Sequence, residues 1–302
     1  MNDAERRVWG RLPAGTRESL AGLSASDLQT LLLSVARARA AEVRPAGLLR
    51  RWREDRFVRP SPADPRAVAA LEARMWRLLP ERFAGVELSP VAPLGTCAVV
   101  TPQSQDRVVS TLRAAEVVSD STNALAVEAA DRRLRQPATG EVHLAASHRM
   151  LRAQRFPAGW GAHFRLFALV SSARDTGSGD TEARLLILHL GYWRRVLADL
   201  LPPGVTPRLE YTIFDSPVLR ERLADTVAPA VPVVEDPERE RGRGYYAGMA
   251  LRITARRGDE VVELGDGGFT TWTAQVMGNA KERCLISCLS TERLAALTSD
   301  QP

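Results

Sequence analysis

The sequence predicts an α+β fold: a mixed, mostly antiparallel sheet flanked by helices and preceded by a helical segment. Three observations lead there. After residue 100 the strand-like stretches come as hairpins or neighbours rather than as β-α-β repeats, which favours antiparallel pairing. Capped amphipathic stretches of helical period stand between them. A composition of 45% hydrophobic and 25% charged residues over 302 positions is ordinary for a globular chain, long enough to bury a core without staples. The sequence contains no internal repeat.

Residues 1–60 read as a helical, Arg-rich segment. Ser24 or Ser26 can cap a helix whose Leu28, Leu31, Leu32 and Val35 share one face. Pro45 interrupts, and 48–53 form a short helix. Arg50, Arg51, Arg53, Arg56 and Arg59 make a basic run, read either as a solvated face paired with Glu54 and Asp55 or as an anion or nucleic-acid patch. Pro60-Ser61-Pro62 links this segment to a core at 61–302. Asp64 caps a helix that opens on Pro65 and buries Val68, Leu71, Met75, Leu78 and Leu79. A strand is expected to end at Pro90, and 108–118 are strand-like with β-branched residues. Ser119-Asp120-Ser121-Thr122 caps a helix over 123–135. Strands at 143–146 and 149–156, the bend Gly159-Trp160-Gly161 and a strand at 163–171 form a hairpin. The clearest helix covers 181–200 and stops at Pro202-Pro203-Gly204. A strand at 208–214, a helix at 218–227 and a loop at 229–244 follow. Strands at 245–256 and 260–264 pair around Gly258-Asp259. A buried strand at 285–289 and a helix at 291–297 complete the series.

Composition also excludes chemistry. The chain has 41 Lys+Arg, and only Lys281 is lysine. No phosphate-loop lysine or kinase strand lysine is available, so phosphate binding falls to arginine forks. Cys97, Cys284 and Cys288 do not form an all-paired disulfide framework, and Cys284 and Cys288 have the wrong spacing for a redox or zinc motif. With four scattered histidines, no metal site is expected. No signal peptide and no apolar run of membrane-spanning length are found, and a cytoplasmic protein without membrane contact is expected. A net charge of +5 does not by itself argue for nucleic acid.

Seven segments then occur in an order that resembles the catalytic core of class II aminoacyl-tRNA synthetases, the histidyl branch best. Glu87-Leu88-Ser89-Pro90 looks like motif 1. Val117-Val118-Ser119-Asp120-Ser121-Thr122 is similar to L-R-P-E-G-T. Arg152-Ala153-Gln154-Arg155, a loop, and Arg165-Leu166-Phe167 look like motif 2. Asp180 to Leu197, then a strand from Arg208, is similar to the helix and strand that follow motif 2. Arg241-Gly242-Arg243-Gly244-Tyr245-Tyr246 resembles R-G-L-D-Y-Y. Gly265-Asp266-Gly267-Gly268 looks like the G-G-R-Y-D turn, and Ser290-Thr291-Glu292-Arg293-Leu294 resembles motif 3, G-L-E-R-L. The likeness covers about residues 65–298.

The resemblance implies roles. Arg152, Arg241 and Arg293 would be catalytic: Arg152 on the α-phosphate of ATP, Arg293 on the far side of the nucleotide, Arg241 at the reacting centre. Gln154, Arg165 and Phe167 would complete the nucleotide site. Asp120 would take the substrate's ammonium group with Thr122 in support. Tyr245 and Tyr246 would line the side-chain pocket, and Gly267 and Gly268 would let backbone approach. ATP is the implied cofactor, with Mg2+ held mainly by its phosphates, and a homodimer is implied through the region near Pro90. Each residue also has a bland reading. Arg152 and Arg293 can be surface residues, Arg241 one of several loop arginines, Asp120 only a helix cap. Neighbouring tyrosines on a strand face opposite sides, so one packs in the core. His163 and His189 are read as structural, Cys284 and Cys288 as core.

Departures from the family pattern are specific. Gln154 replaces a glutamate, Ser290 a glycine, and Phe269, Thr270 and Thr271 the R-Y-D; the polar pair after motif 2 falls near Leu169 and Ala173. Nine residues follow Arg293, and 228–240 are short, so neither an anticodon-binding domain nor an inserted domain is expected. The leading reading is an ATP-dependent, adenylate-forming ligase that activates a small amino or carboxylic acid for a non-translational acceptor. The alternatives are a non-catalytic regulatory or binding paralogue of histidyl-tRNA synthetase, and a nucleic-acid-binding accessory protein using residues 1–60.

Overall fold

A computed structural model describes residues 3–101, 103–137, 139–156 and 161–299. Four helices open the chain: α1 (Asp3–Trp9), α2 (Thr16–Ala21), α3 (Ala25–Ala41) and α4 (Pro45–Glu54). Ser24 is the α3 cap, its hydroxyl accepting from Asp27 N at 3.1 Å. Pro45 starts α4 rather than interrupting, because a first-turn proline lacks only an amide that would be orphaned anyway. The apolar stripe of α3 is not covered: Leu28 and Leu32 are half-buried, Leu31 and Val35 exposed. The expected pairing of the basic run with its own acids is not what holds it. Arg59 donates to Arg53 O at 2.6 Å, and Arg56 donates to the carbonyls of Ala153 and Gln154.

α5 (Pro65–Leu78) is capped by Asp64, which accepts from Arg66 N at 3.0 Å, and buries Val68, Leu71 and Met75. Then come β1 (Ala84–Gly85), β2 (Val91–Pro93), α6 (Thr96–Val100), β3 (Ala115–Val117) and α7 (Ser121–Leu134). The long hairpin is β4 (Glu141–Leu151) and β5 (His163–Arg174), followed by α8 (Asp180–Leu200), β6 (Val205–Ile213) and α9 (Pro217–Arg222). A π turn, Leu223–Val227, joins α9 to α10 (Ala228–Ala230), and β7 (Val234–Glu235) follows. The last elements are β8 (Met249–Arg257), β9 (Glu260–Thr270), α11 (Trp272–Met277), β10 (Glu282–Ser290) and α12 (Thr291–Ser299).

The main sheet has the order β1-β4-β5-β10-β9-β8-β6-β7, parallel only at its two edges. The expected mixed, mostly antiparallel sheet is therefore present, with helices on both faces. On one face Phe167, Leu169, Leu285 and Leu289 pack under α5 and α8 with Met75, Leu190 and Trp193. On the other, Leu166, Ala168, Ile286 and Cys288 pack under α7 and α11 with Leu125 and Trp272.

Several expectations are corrected. Residues 86–90 are not a strand: Pro90 brings no amide to a ladder, and its carbonyl accepts from Val118 N at 3.1 Å. Residues 108–118 are not one strand, because Ala114 takes the left-handed conformation (φ 52°) and the chain folds back, bridging Ser110 to Glu116. β4 runs unbroken through 147–148. Tyr245 and Tyr246 precede β8 rather than lying in it, and Gly265 to Gly268 sit inside β9, not in a turn. Gly159 and Trp160 lie outside the described residues. α6 and α11 are additions to the sequence reading.

Candidate functional site

The second face of the sheet carries a polar cluster where the end of β4, the start of α7 and the middle of β9 meet. Asp120 is the N-cap of α7. Its Oδ1 accepts from Thr122 N at 3.0 Å and from Thr122 Oγ1 at 2.7 Å, while Oδ2 pairs with Arg152 Nη2 at 3.2 Å. Capping and ion pairing use different oxygens, so the two readings of Asp120 hold at once. Arg152 stands one residue past β4, its amide bound to Ala162 O. Nε donates to Ser119 O at 2.8 Å and the guanidinium lies 5.1 Å from the centre of the Phe164 ring. Backbone, carboxylate and ring thus fix the fork in one orientation. Beside it a small cleft is lined by Gln103, Arg107 and Asn123, whose Oδ1 is buried without a partner among the described residues.

Tyr246 forms the wall next to this pair. A Cβ on Gly268 (φ 153°) would sit 2.6 Å from its ring, and one on Gly242 (φ 104°) 2.9 Å from it, so both glycines make room for the ring. Tyr245 and Tyr246 meet edge to face at 4.8 Å, and Tyr245 also meets Trp272 at 5.6 Å. Burial, with Asp120 and Asp266 nearby, holds both phenols well above their ordinary pKa.

Asp266, on the same face of β9 as Gly268, is half-buried, and its Oδ1 accepts from the Cys288 thiol at 3.6 Å. Burial raises its pKa; Arg239 and Arg152 oppose the shift, Asp120 and Glu263 add to it. Arg239 donates to Arg241 O at 2.9 Å and to Leu251 O at 2.8 Å. Arg293 reaches the cluster from α12, donating through Nη1 to Glu263 O at 2.7 Å, and burial lowers its pKa. Ser290, at the motif 3 glycine position, caps α12: its hydroxyl accepts from Arg293 N at 3.4 Å.

The structure therefore brings together Asp120, Thr122, Arg152, Tyr245, Tyr246, Gly268 and Arg293. Gly267 lies in the same strand, against Ser287 of β10. Gln154 lines the same small cleft as Asp120 and Arg152, its side chain held by Arg107 Nε at 2.8 Å. Three other candidates sit differently. Arg241 is exposed, and the half-buried arginine at the cluster is Arg239. Arg165 pairs with Glu72 of α5 at 2.9 Å on the opposite face. Phe167 is 0% exposed and packs against Trp76, Tyr192 and Trp193. The ring on the site face is Phe164. Sequence reasoning missed Phe164, Arg239 and Asp266; strand parity pointed to the first, and nothing local to the other two. Leu169 and Ala173 are fully in the core. Among the described residues no group of three or more His, Cys, Asp or Glu could hold a metal. None of their helices is long and apolar enough to cross a membrane.

No family model matches this sequence, and no curated protein does. Solved structures do. Apo S. aureus histidyl-tRNA synthetase matches with a TM-score of 0.59 at 13% identity over 77% of this chain, which spans 64% of that one. An ATP phosphoribosyltransferase regulatory subunit/histidyl-tRNA synthetase from Bacillus halodurans matches with a TM-score of 0.58 at 10% identity, covering 80% of this chain and 82% of that. A histidine–tRNA ligase subunit from Alicyclobacillus acidocaldarius gives 0.55 at 14%, covering 79% and 94%. The fold is that of the class II synthetases, histidyl-like, as the sequence resemblance implied; at these identities the likeness concerns fold alone.

Proposed function

We propose that the chain is an ATP-dependent, adenylate-forming ligase that activates a small amino or carboxylic acid for a non-translational acceptor. The observation that carries this is the convergence of Arg152, Arg293 and the Thr122-braced Asp120 on one face of the sheet. In such a reaction a carboxylate oxygen attacks the α-phosphorus and pyrophosphate leaves. Both reactants are anionic, so fixed cations must hold them together. Arg152 serves the α-phosphate, Arg293 the far side of the nucleotide, and Asp120 the ammonium group, with Tyr246 as the side-chain wall. Mg2+ would come on the phosphates. We further propose a homodimer through the region around Pro90, acting in the cytoplasm.

The test is amino-acid-dependent exchange of pyrophosphate into ATP, run with calorimetry of ATP binding. Exchange with one acid, lost in Arg293→Ala, supports the reading; no exchange with any acid and no ATP binding sinks it.

A second reading is favoured by one feature, the engagement of Gln154. Its side chain is taken by Arg107 and its carbonyl by Arg56, on the edge where a nucleotide base would have to lie. This suits a regulatory protein that binds a ligand without turnover; the Bacillus halodurans relative is named as a regulatory subunit/histidyl-tRNA synthetase. Amino-acid binding without any exchange would select it.

A further inference from the structure

Resting on the adenylating reading, we propose that Asp266 determines substrate specificity, and that the acid activated is an α-amino acid whose side chain ends in a protonated amine, of the ornithine or lysine kind. Asp266 lies at the middle of β9, opposite Cys288 of β10 and Arg252 of β8, on the face that holds Tyr246 and the Asp120–Arg152 pair. Among the described residues its carboxylate accepts only from the Cys288 thiol, a weak donor. Most polar side-chain atoms shielded from solvent have at least one good hydrogen-bond partner.

The neighbouring cations do not supply them. Arg239 spends Nε and Nη1 on the carbonyls of Arg241 and Leu251, and Arg252 reaches Glu263 at 3.3 Å and Asp236 at 3.6 Å. Arg152 spends its Nε and Nη2 on Ser119 and Asp120. Asp266 is therefore not held as a counter-ion by direct contact. It lies opposite Cys288 on the sheet face of the Asp120–Arg152 pair, with a carboxylate that lacks a strong donor. Asp120 is braced for one ammonium group; Asp266 is a second carboxylate for a second one. Asp120 is already paired with Arg152, so Asp266 is the carboxylate on this face that is left for a side-chain ammonium group.

Calorimetry with two isosteric pairs decides it: ornithine against norvaline, lysine against norleucine, each with and without ATP, on the wild-type chain and on Asp266→Asn. One amine-bearing acid is expected to bind about tenfold or more tighter than its apolar partner, and the substitution to erase that preference. Equal binding of the partners, or a preference that survives in Asp266→Asn, overturns the inference while leaving the adenylating reading standing. Binding of none of the four, with no ATP binding, overturns both.

Discussion

At the scale of single residues, the site depends on side chains that are held before any ligand arrives. Arg152 is clamped by Ser119, Asp120 and Phe164, and Arg293 by the Glu263 carbonyl. Preorganised cations of this kind contribute roughly 10²–10³ in rate when they face developing charge. We expect Arg152→Ala and Arg293→Ala each to lower pyrophosphate exchange by that order, and Arg241→Ala, with its exposed side chain, by less than about tenfold. Gly268→Ala should act through packing instead. The added Cβ meets both the Tyr246 ring and the Met249 carbonyl at 2.6 Å, at a φ of 153°. Its thermal midpoint should fall by several degrees, the equivalent of more than about 1 kcal/mol, which calorimetric scanning would register. Asp120 was legible in the sequence because one residue type serves both cap and ion pair. Asp266 was not, because its importance comes from which donors are missing around it, and those belong to β8, β10 and the 239–241 loop.

At the scale of elements, what was legible was local. α5 and α7 carry side-chain caps and apolar stripes within their own sequence, and α8 carries its stripe and a proline stop, so period and end signals predict them. Asp64→Ala should accordingly cost about 1 kcal/mol, read as a lowered urea midpoint with an unchanged slope. The misreadings share a cause. Residues 108–118 have strand composition, yet the turn at Ala114 and the pairing with β2 decide their path. Gly265-Asp266-Gly267-Gly268 has turn composition, yet lies in β9, where β10 runs too close to Gly265 and Gly267 to admit a Cβ and Met249 and Tyr246 do the same at Gly268. Motif 2 shows how sharp such errors are. Reading the pattern onto Arg165 and Phe167 instead of Phe164 is a shift of one to three positions, and an odd shift exchanges the site face for the core face. Phe164 underlies Arg152 while Phe167 is sealed beneath α5 and α8.

At the scale of the molecule, two large features organise what the elements cannot. The first is charge. Residues 1–60 hold 12 arginines and 7 acids, so the remaining residues hold 29 of each sign and the whole net charge lies in the N-terminal segment. That segment is tied to the site's edge through Arg56, so Arg56→Ala should speed amide exchange at 153–156 without unfolding the sheet, seen by hydrogen-exchange mass spectrometry.

The second is a buried hydrogen-bonded line on the core face: Glu141, His143, Ser171, His189, Ser287 and Trp193, crossing β4, β5, α8 and β10 in links of 2.7 to 3.2 Å. Trp193 can only donate at one end, and the Glu141 carboxylate only accepts at the other. The line therefore runs in one direction, with both histidines neutral, each accepting at Nδ1 and donating from Nε2. Burial, and then Arg82, lowers the His143 pKa to about 4; burial, and then His143, pushes His189 well below its ordinary value. Between pH 6.5 and 4 the unfolded chain thus binds protons that the folded chain refuses. Stability is fully present above 6.5 and is lost as the pH falls towards 4, by about 3 kcal/mol for His143 alone. Asp266, with its raised pKa, works in the opposite sense, so the total slope is the difference between the histidine contributions and that of Asp266. The discriminating measurement is the difference between wild type and His143→Gln in urea midpoint at pH 7 and pH 4.5. The variant should be less stable at pH 7, where the line is intact, and should lose less on acidification; equal losses in the two proteins would mean that His143 does not titrate with folding.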